Sequence, residues 1–129
     1  DAPVDRQGRF RYAHARDQPV ELRPPETPTL QLTVDGTSVA IDVVDPFGRL
    51  TADRFFGSLR RGLTPDQNLV ELDRSHGGAG LGLARSLREG TLLRAEVTPG
   101  VRTLVAWWRD RDRPPTEGAR SAIFLETAP

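Results

Sequence analysis

Two stretches of alternating apolar residues, each pair of runs broken by a tight-turn signal, restrict what this chain can fold into. Over residues 29–35, Leu30, Leu32 and Val34 recur at every second position. Asp35-Gly36 follows, and then Val39, Ile41 and Val43 alternate again. A period of two puts such side chains on one face of a strand. Asp-Gly between two such runs signals a hairpin. The pattern predicts strands over about 29–35 and 38–45, with one face buried. Residues 92–97 and 101–108 are two further β-forming runs on either side of Pro99-Gly100. They predict a second hairpin. Strands joined by such short turns pair antiparallel, which disfavours a doubly wound parallel sheet.

Between the hairpins the period changes. Thr51 precedes Ala52-Asp53-Arg54 as an N-cap precedes a first helical turn that carries an acid. Phe55, Phe56, Leu59 and Leu63 form the apolar stripe of a short helix over about 52–61, with Phe55 and Phe56 expected in the core. Leu81, Leu83, Ala84 and Leu87 form a second helical face that ends near Gly90. Arg85 and Arg88 lie toward its C-terminal end, where the helix dipole favours cations. Residues 64–76 show little apolar pattern and read as a mobile loop. The order hairpin, helix, loop, helix, hairpin predicts an α+β two-layer sandwich: a mostly antiparallel sheet with helices on one face.

The flanks differ in texture. Residues 1–28 hold Pro3, Pro19, Pro24, Pro25 and Pro28 and read as an irregular arm. Residues 29–109 form the domain, and residues 110–129 a Pro-rich linker and tail. Within that tail, Ser121–Glu126 is either a last short strand or a docking peptide. Trp107 and Trp108 are neighbours on a strand, so one points inward and the other out. The outward one is a candidate contact for a partner.

Composition removes several kinds of chemistry. A chain of 129 residues is the size of one domain and can hold a core without cross-links. It contains no Cys, which excludes disulfides, thiolate nucleophiles and Cys-based metal sites. All 18 basic residues are Arg, so there is no Schiff-base or P-loop lysine. An Arg-only basic set fits the codon bias of a GC-rich bacterial gene. Eighteen acids balance the arginines, so a strong nucleic-acid footprint is not expected. No run of 18 apolar residues occurs, so no membrane span and a cytoplasmic location are expected. The chain lacks Met and begins at Asp1. It is expected to be a fragment or a processed product.

Two pieces of sequence carry chemistry when taken together. Asp45 ends an apolar run and is followed by Pro46-Phe47-Gly48. Some thirty residues later, Gly77-Gly78-Ala79-Gly80-Leu81-Gly82-Leu83 opens a helical pattern. A glycine-rich loop at a helix N-terminus presents bare backbone N–H groups to an anion. A buried carboxylate at a strand end can accept the exocyclic amine of adenine. The same glycine string also serves as a turn and helix start with no ligand. It does not fit a Rossmann fingerprint, because a polar loop and not a buried strand precedes it. His76 reads as a surface residue of the preceding loop, and Arg60-Arg61 as a solvated pair.

These residues resemble the glycine boxes of the histidine-kinase-like (GHKL) ATPases, a superfamily that includes sensor histidine kinases and anti-sigma-factor serine kinases. Val43 to Leu50 is similar to the first box, Gly77 to Ala84 to the second, and Pro99 to Val105 to the penultimate turn and last strand. The resemblance covers residues 29–109. It implies that Asp45 recognises adenine and that Gly48 belongs to the first glycine loop. Gly78, Gly80 and Gly82 would line the phosphates, Leu81 would face the nucleotide, and Thr103 would reach adenine through a water. Residues 64–76 would be the ATP lid.

The departures from the family pattern are specific. Phe47 and Arg49 stand where the first box normally has glycines. The family's Mg²⁺-binding Asn on a first helix has no counterpart, since Asn68 is the chain's only Asn and falls in the lid. The resemblance therefore implies an ATP-binding domain of a bacterial signalling protein. ATP and Mg²⁺ would be its cofactors, with the metal ligand outside this chain. These 129 residues alone are expected to turn over little ATP, and phosphoryl transfer would need an upstream helix. The partners implied are an adenine nucleotide and a protein, or a second copy. The rival reading is a non-catalytic interaction module with a degenerate pocket.

Overall fold

The computed structural model describes residues 21–63, 82–113 and 120–129. Five strands form one sheet: β1 (Thr29–Val34), β2 (Ser38–Asp45), β3 (Leu92–Thr98), β4 (Arg102–Asp110) and β5 (Ser121–Glu126). Two helices, α1 (Ala52–Leu63) and α2 (Gly82–Glu89), lie between β2 and β3 in sequence. The strand order is β1-β2-β4-β3-β5. Every pairing is antiparallel except β3 with β5, which is parallel.

The alternation read from sequence is the alternation of the sheet. Ile41 stands opposite Trp107, and Trp107 opposite Leu93. Leu93 in turn stands opposite Ala122. This row and its neighbours, with Ala95, Val105 and Phe124, face the helices. From above, α1 brings Phe55 and Leu59, and α2 brings Ala84 and Leu87. Both helices therefore pack on one face. Phe55, Leu93, Ala95 and Val97 are fully buried. Each large apolar side chain so placed contributes roughly 1.5–3 kcal/mol.

Local chemistry explains the ends of the elements. Thr51 caps α1: its Oγ1 accepts the Arg54 N–H at 3.3 Å, and its carbonyl accepts the Phe55 N–H at 2.9 Å. The Arg88 guanidinium of α2 donates to the Gly62 carbonyl near the C-terminal end of α1, joining the two helices. The β3–β4 turn has Pro99 at its second position and Gly100 at its third with φ +73°. Its Val101 N–H donates to the Thr98 carbonyl at 2.9 Å. That is a type II turn, which requires positive φ at its third position.

The tight β1–β2 turn forms where Asp35-Gly36 signals it, though Gly36 has no positive φ. The Asp35 carboxylate holds it, accepting the backbone N–H groups of Thr37 (2.8 Å) and Ser38 (2.7 Å). Two expectations need correction. β1 buries no face, because it is an edge strand and the buried core that α1 and α2 close lies over Leu93 and Ala95 of β3, leaving Leu30, Leu32 and Val34 exposed. The apolar stripe of α1 is only partly core: Phe56 and Leu63 belong to the rim, being 40% and 41% exposed. Phe55 and Leu59, one turn apart, occupy the centre of the face. Phe56 lies edge-on to Phe55 with ring centroids 5.1 Å apart, which leaves its outer side in solvent. Of the two readings of Ser121–Glu126, the strand holds: it is β5 of the sheet. Thr91 ties its start to β3 and β4, its carbonyl accepting the Ser121 N–H at 3.0 Å. Phe124 packs on the core.

Asp35 makes this turn sensitive to acid. The Thr37 N–H, and then the Ser38 N–H, hold its carboxyl below the ordinary value of 3.8. A carboxylate with a lowered folded pKa stabilises the fold above its ordinary value, and that contribution is lost as pH falls through the folded one. Asp35→Ala should therefore be less stable than the parent at neutral pH, and the difference should close below about pH 4. Urea denaturation at neutral and acid pH measures it. A gap that stays constant down to strongly acid pH would contradict this account of the turn.

Candidate functional site

Asp45 and Thr103 meet through the register of the two central strands. Asp45 is the last residue of β2 and Thr103 the second of β4, and the two are directly opposite each other. Both lie in the alternation that includes Val43 and Val105, so both are on the helix side of the sheet. Thr103 is only 2% exposed, and its Oγ1 has no hydrogen-bond partner among the described residues. A buried orphan hydroxyl costs about 1–3 kcal/mol and calls for an explanation. Asp45 is half-buried, and its Oδ1 accepts the Phe47 N–H at 2.9 Å. That bond bends the chain out of β2 and leaves Oδ2 without a hydrogen bond among the described residues.

Gly48 has a structural reason that the sequence reading did not give it. Its φ is +60°, and a Cβ there would lie 2.3 Å from the Thr98 carbonyl oxygen and 2.7 Å from the Val101 nitrogen. The loop after β2 thus rests directly on the β3–β4 turn, and the Gly100 N–H donates to the Gly48 carbonyl at 3.2 Å. Any side chain at 48 would push these two backbones apart. The contact fixes the loop at the Asp45 end of the sheet.

A cavity of about 380 Å³ opens between α2 and the sheet. Ile41, Val43, Leu93, Val105 and Trp107 form its apolar floor. Gly82, Arg85, Ser86 and Glu89 of α2 form its rim. The indole of Trp107 is pinned there, its Nε1–H donating to the Ser86 carbonyl at 2.7 Å. Gly90 makes this fit possible, since a Cβ at 90 would lie 2.3 Å from the same Nε1. Asp45 and Thr103 do not line the cavity. They stand two residues beyond Val43 and Val105 along the same strands, about 7 Å farther on.

The expected site residues separate into three groups. Asp45, Thr103 and Gly48 gather at one end of β2 and β4. Gly82 begins α2 at the cavity rim, and a Cβ there would meet nothing within 4 Å among the described residues. Its glycine therefore has no packing reason, unlike Gly48 and Gly90. Gly78, Gly80, Leu81 and the expected lid lie outside the described residues. The sequence reading missed Trp107 as a cavity wall and Arg85 as a rim cation. The signal for Trp107 was available: a strand tryptophan facing a glycine that ends a helix. Among the described residues no three His, Cys, Asp or Glu side chains converge to hold a metal, so no residue here is assigned to Mg²⁺.

The two crowding results give opposite expectations for two glycines. Gly48→Ala should destabilise the fold by about 1–3 kcal/mol from its left-handed backbone alone, with the steric clash added. Gly82→Ala should leave stability unchanged or raise it slightly, because alanine is the better helix former. Thermal unfolding of both variants tests this, and equal losses would contradict the assignment. No protein-family model, curated protein or solved structure matches the chain.

Proposed function

We propose that this domain binds an adenine nucleotide in the manner of the histidine-kinase-like ATPases, between α2 and the β2–β4 end of the sheet. The observation that carries the reading is the Asp45–Thr103 pair. Among the described residues, a half-buried carboxylate with a spare oxygen stands opposite a buried hydroxyl that lacks a partner. An adenine edge offers the complement: an exocyclic amine to donate to Asp45, and a ring nitrogen that Thr103 Oγ1 can reach directly or through a water. The adjoining cavity is of ligand size, mostly apolar, with a few polar groups at its rim. Arg85 is the one cation among its described lining residues and would face the phosphates. Gly82, uncrowded by any described residue, would let the α2 backbone approach them.

The proposal stops at binding, because no described residues fit the metal that phosphoryl transfer would need. What remains for this chain's own groups is recognition: Asp45 selects the base, Thr103 orients it, and the sheet excludes water beneath it. The rival reading, an interaction module without a ligand, draws support from Gly48. Its crowding accounts for that glycine without any phosphate.

Calorimetric titration with ATP and GTP tests the proposal. ATP is expected to bind saturably and GTP more weakly. Asp45→Asn should weaken ATP by roughly 1–3 kcal/mol, about a 5- to 150-fold change, while leaving GTP almost unaffected. Thr103→Val should also weaken ATP, yet leave the fold as stable or more so, since it removes an unpaired buried hydroxyl. Equal ATP affinity in the parent and in Asp45→Asn would sink the assignment of the base-reading residue.

A further inference from the structure

The outer edge of β1 is unusual for a natural sheet. Thr29-Leu30-Gln31-Leu32-Thr33-Val34 contains no charge and no proline, and every residue in it is exposed. Leu30, Leu32 and Val34 are 69%, 59% and 57% exposed. Natural proteins blunt such edges with lysine, proline, a bulge or a covering element, because an open apolar edge is a template for another strand. The other edge of the sheet is β5, which ends in Glu126 and follows Arg120. The β1 edge alone is uncharged along its whole length.

The hydrogen-bond phase of β1 says what fits it. The Asp35 N–H donates inward to the Ser38 carbonyl at 3.0 Å. In an antiparallel ladder the N–H and C=O of one residue point the same way, and successive residues alternate. Thr33, Gln31 and Thr29 therefore bond β2, while Leu30, Leu32 and Val34 turn outward N–H and C=O groups that no described residue takes.

The geometry points to a second copy of this chain as the occupant, paired antiparallel through β1 about a two-fold axis at Leu32. In that register Leu32 faces its own counterpart and Leu30 faces Val34 of the other copy. All three outward-bonding residues then exchange both backbone bonds with their opposites. The six apolar side chains fall on one face, matching the pleat of both sheets. On the other face Gln31 meets Thr33 and Thr29 meets Asp35, so no like charges oppose. Sliding the axis to Gln31 would bring Val34 opposite Pro28, which has no N–H to give. A self-complementary edge closes as a dimer, whereas a β1-to-β5 pairing would continue as an open filament. The product is one continuous sheet across both copies. Its contact is small for a permanent complex, so assembly is reversible and rises with concentration.

Sedimentation of the whole chain over a wide concentration range tests this independently of any nucleotide. The parent should pass from monomer to dimer. Leu32→Lys, which places two cations face to face at the axis, should remain monomeric. So should Leu32→Pro, which deletes an outward donor that β2 does not use. Circular dichroism of both variants should match the monomeric parent. Because the chain has no Cys, Leu32→Cys should also form a disulfide-linked dimer on oxidation, since opposed residues at such a pair stand about 5.5 Å apart. Thr33→Cys should not. The proposal is overturned by a parent that is monomeric throughout, by a dimer that survives Leu32→Lys, by growth beyond a dimer, or by equal cross-linking of the two cysteine variants. Dimerisation that appears only after residues 1–20 are deleted would also overturn it, giving the edge to that segment.

Discussion

The pairing of β4 between β2 and β3 is the constraint on which the rest of the molecule depends. Because side chains alternate, a slip of one residue would turn Trp107 to the outer face and bring Trp108 under the helices. Thr103 would leave Asp45 in the same movement. The register is held at both ends. At one, the Gly48 carbonyl takes the Gly100 N–H, locking the loop after β2 to the turn before β4. At the other, the Arg111 N–H donates to the Thr37 carbonyl at 2.8 Å, fastening the end of β4 to the β1–β2 turn.

From that register the position of α2 follows. Trp107 reaches up from β4 to the Ser86 carbonyl, and Gly90 leaves room for its ring. The indole thus sets the distance between helix and sheet, and the cavity is what remains beside it. Its floor is apolar because β2, β4 and β3 turn their buried alternation toward the helices. Its rim is polar because only α2 contributes there. The same alternation runs on past the helices to β1, where nothing described covers it.

Much of this arrangement is legible in the sequence, for identifiable reasons. The hairpins announce themselves because Leu30–Val43 and Leu93–Val105 alternate and their turns carry Gly or Pro. The start of α1 is legible because Thr51 is a capping residue ahead of an acid. The parallel placement of β5 is not, because Ala122 and Phe124 give a strand its face but nothing local names its neighbour. Asp45 and Thr103 were recognisable as a pair only through resemblance, since 58 positions separate them and register alone unites them. The part played by Gly48 was hidden for a similar reason: crowding by Thr98 and Val101 depends on chain segments some fifty residues distant. A glycine in a sequence does not say whether a ligand or a neighbouring backbone requires it.

The central claim is that Asp45, Thr103 and the α2 cavity form a single ligand site. Backbone amide NMR during titration with an adenine nucleotide tests it most directly, because it reports location as well as affinity. The account predicts saturable shifts grouped at residues 45–48, 82–86 and 103–107, with β1 and β5 little changed. The absence of saturable shifts, or shifts centred away from the β2–β4 end of the sheet, would contradict it.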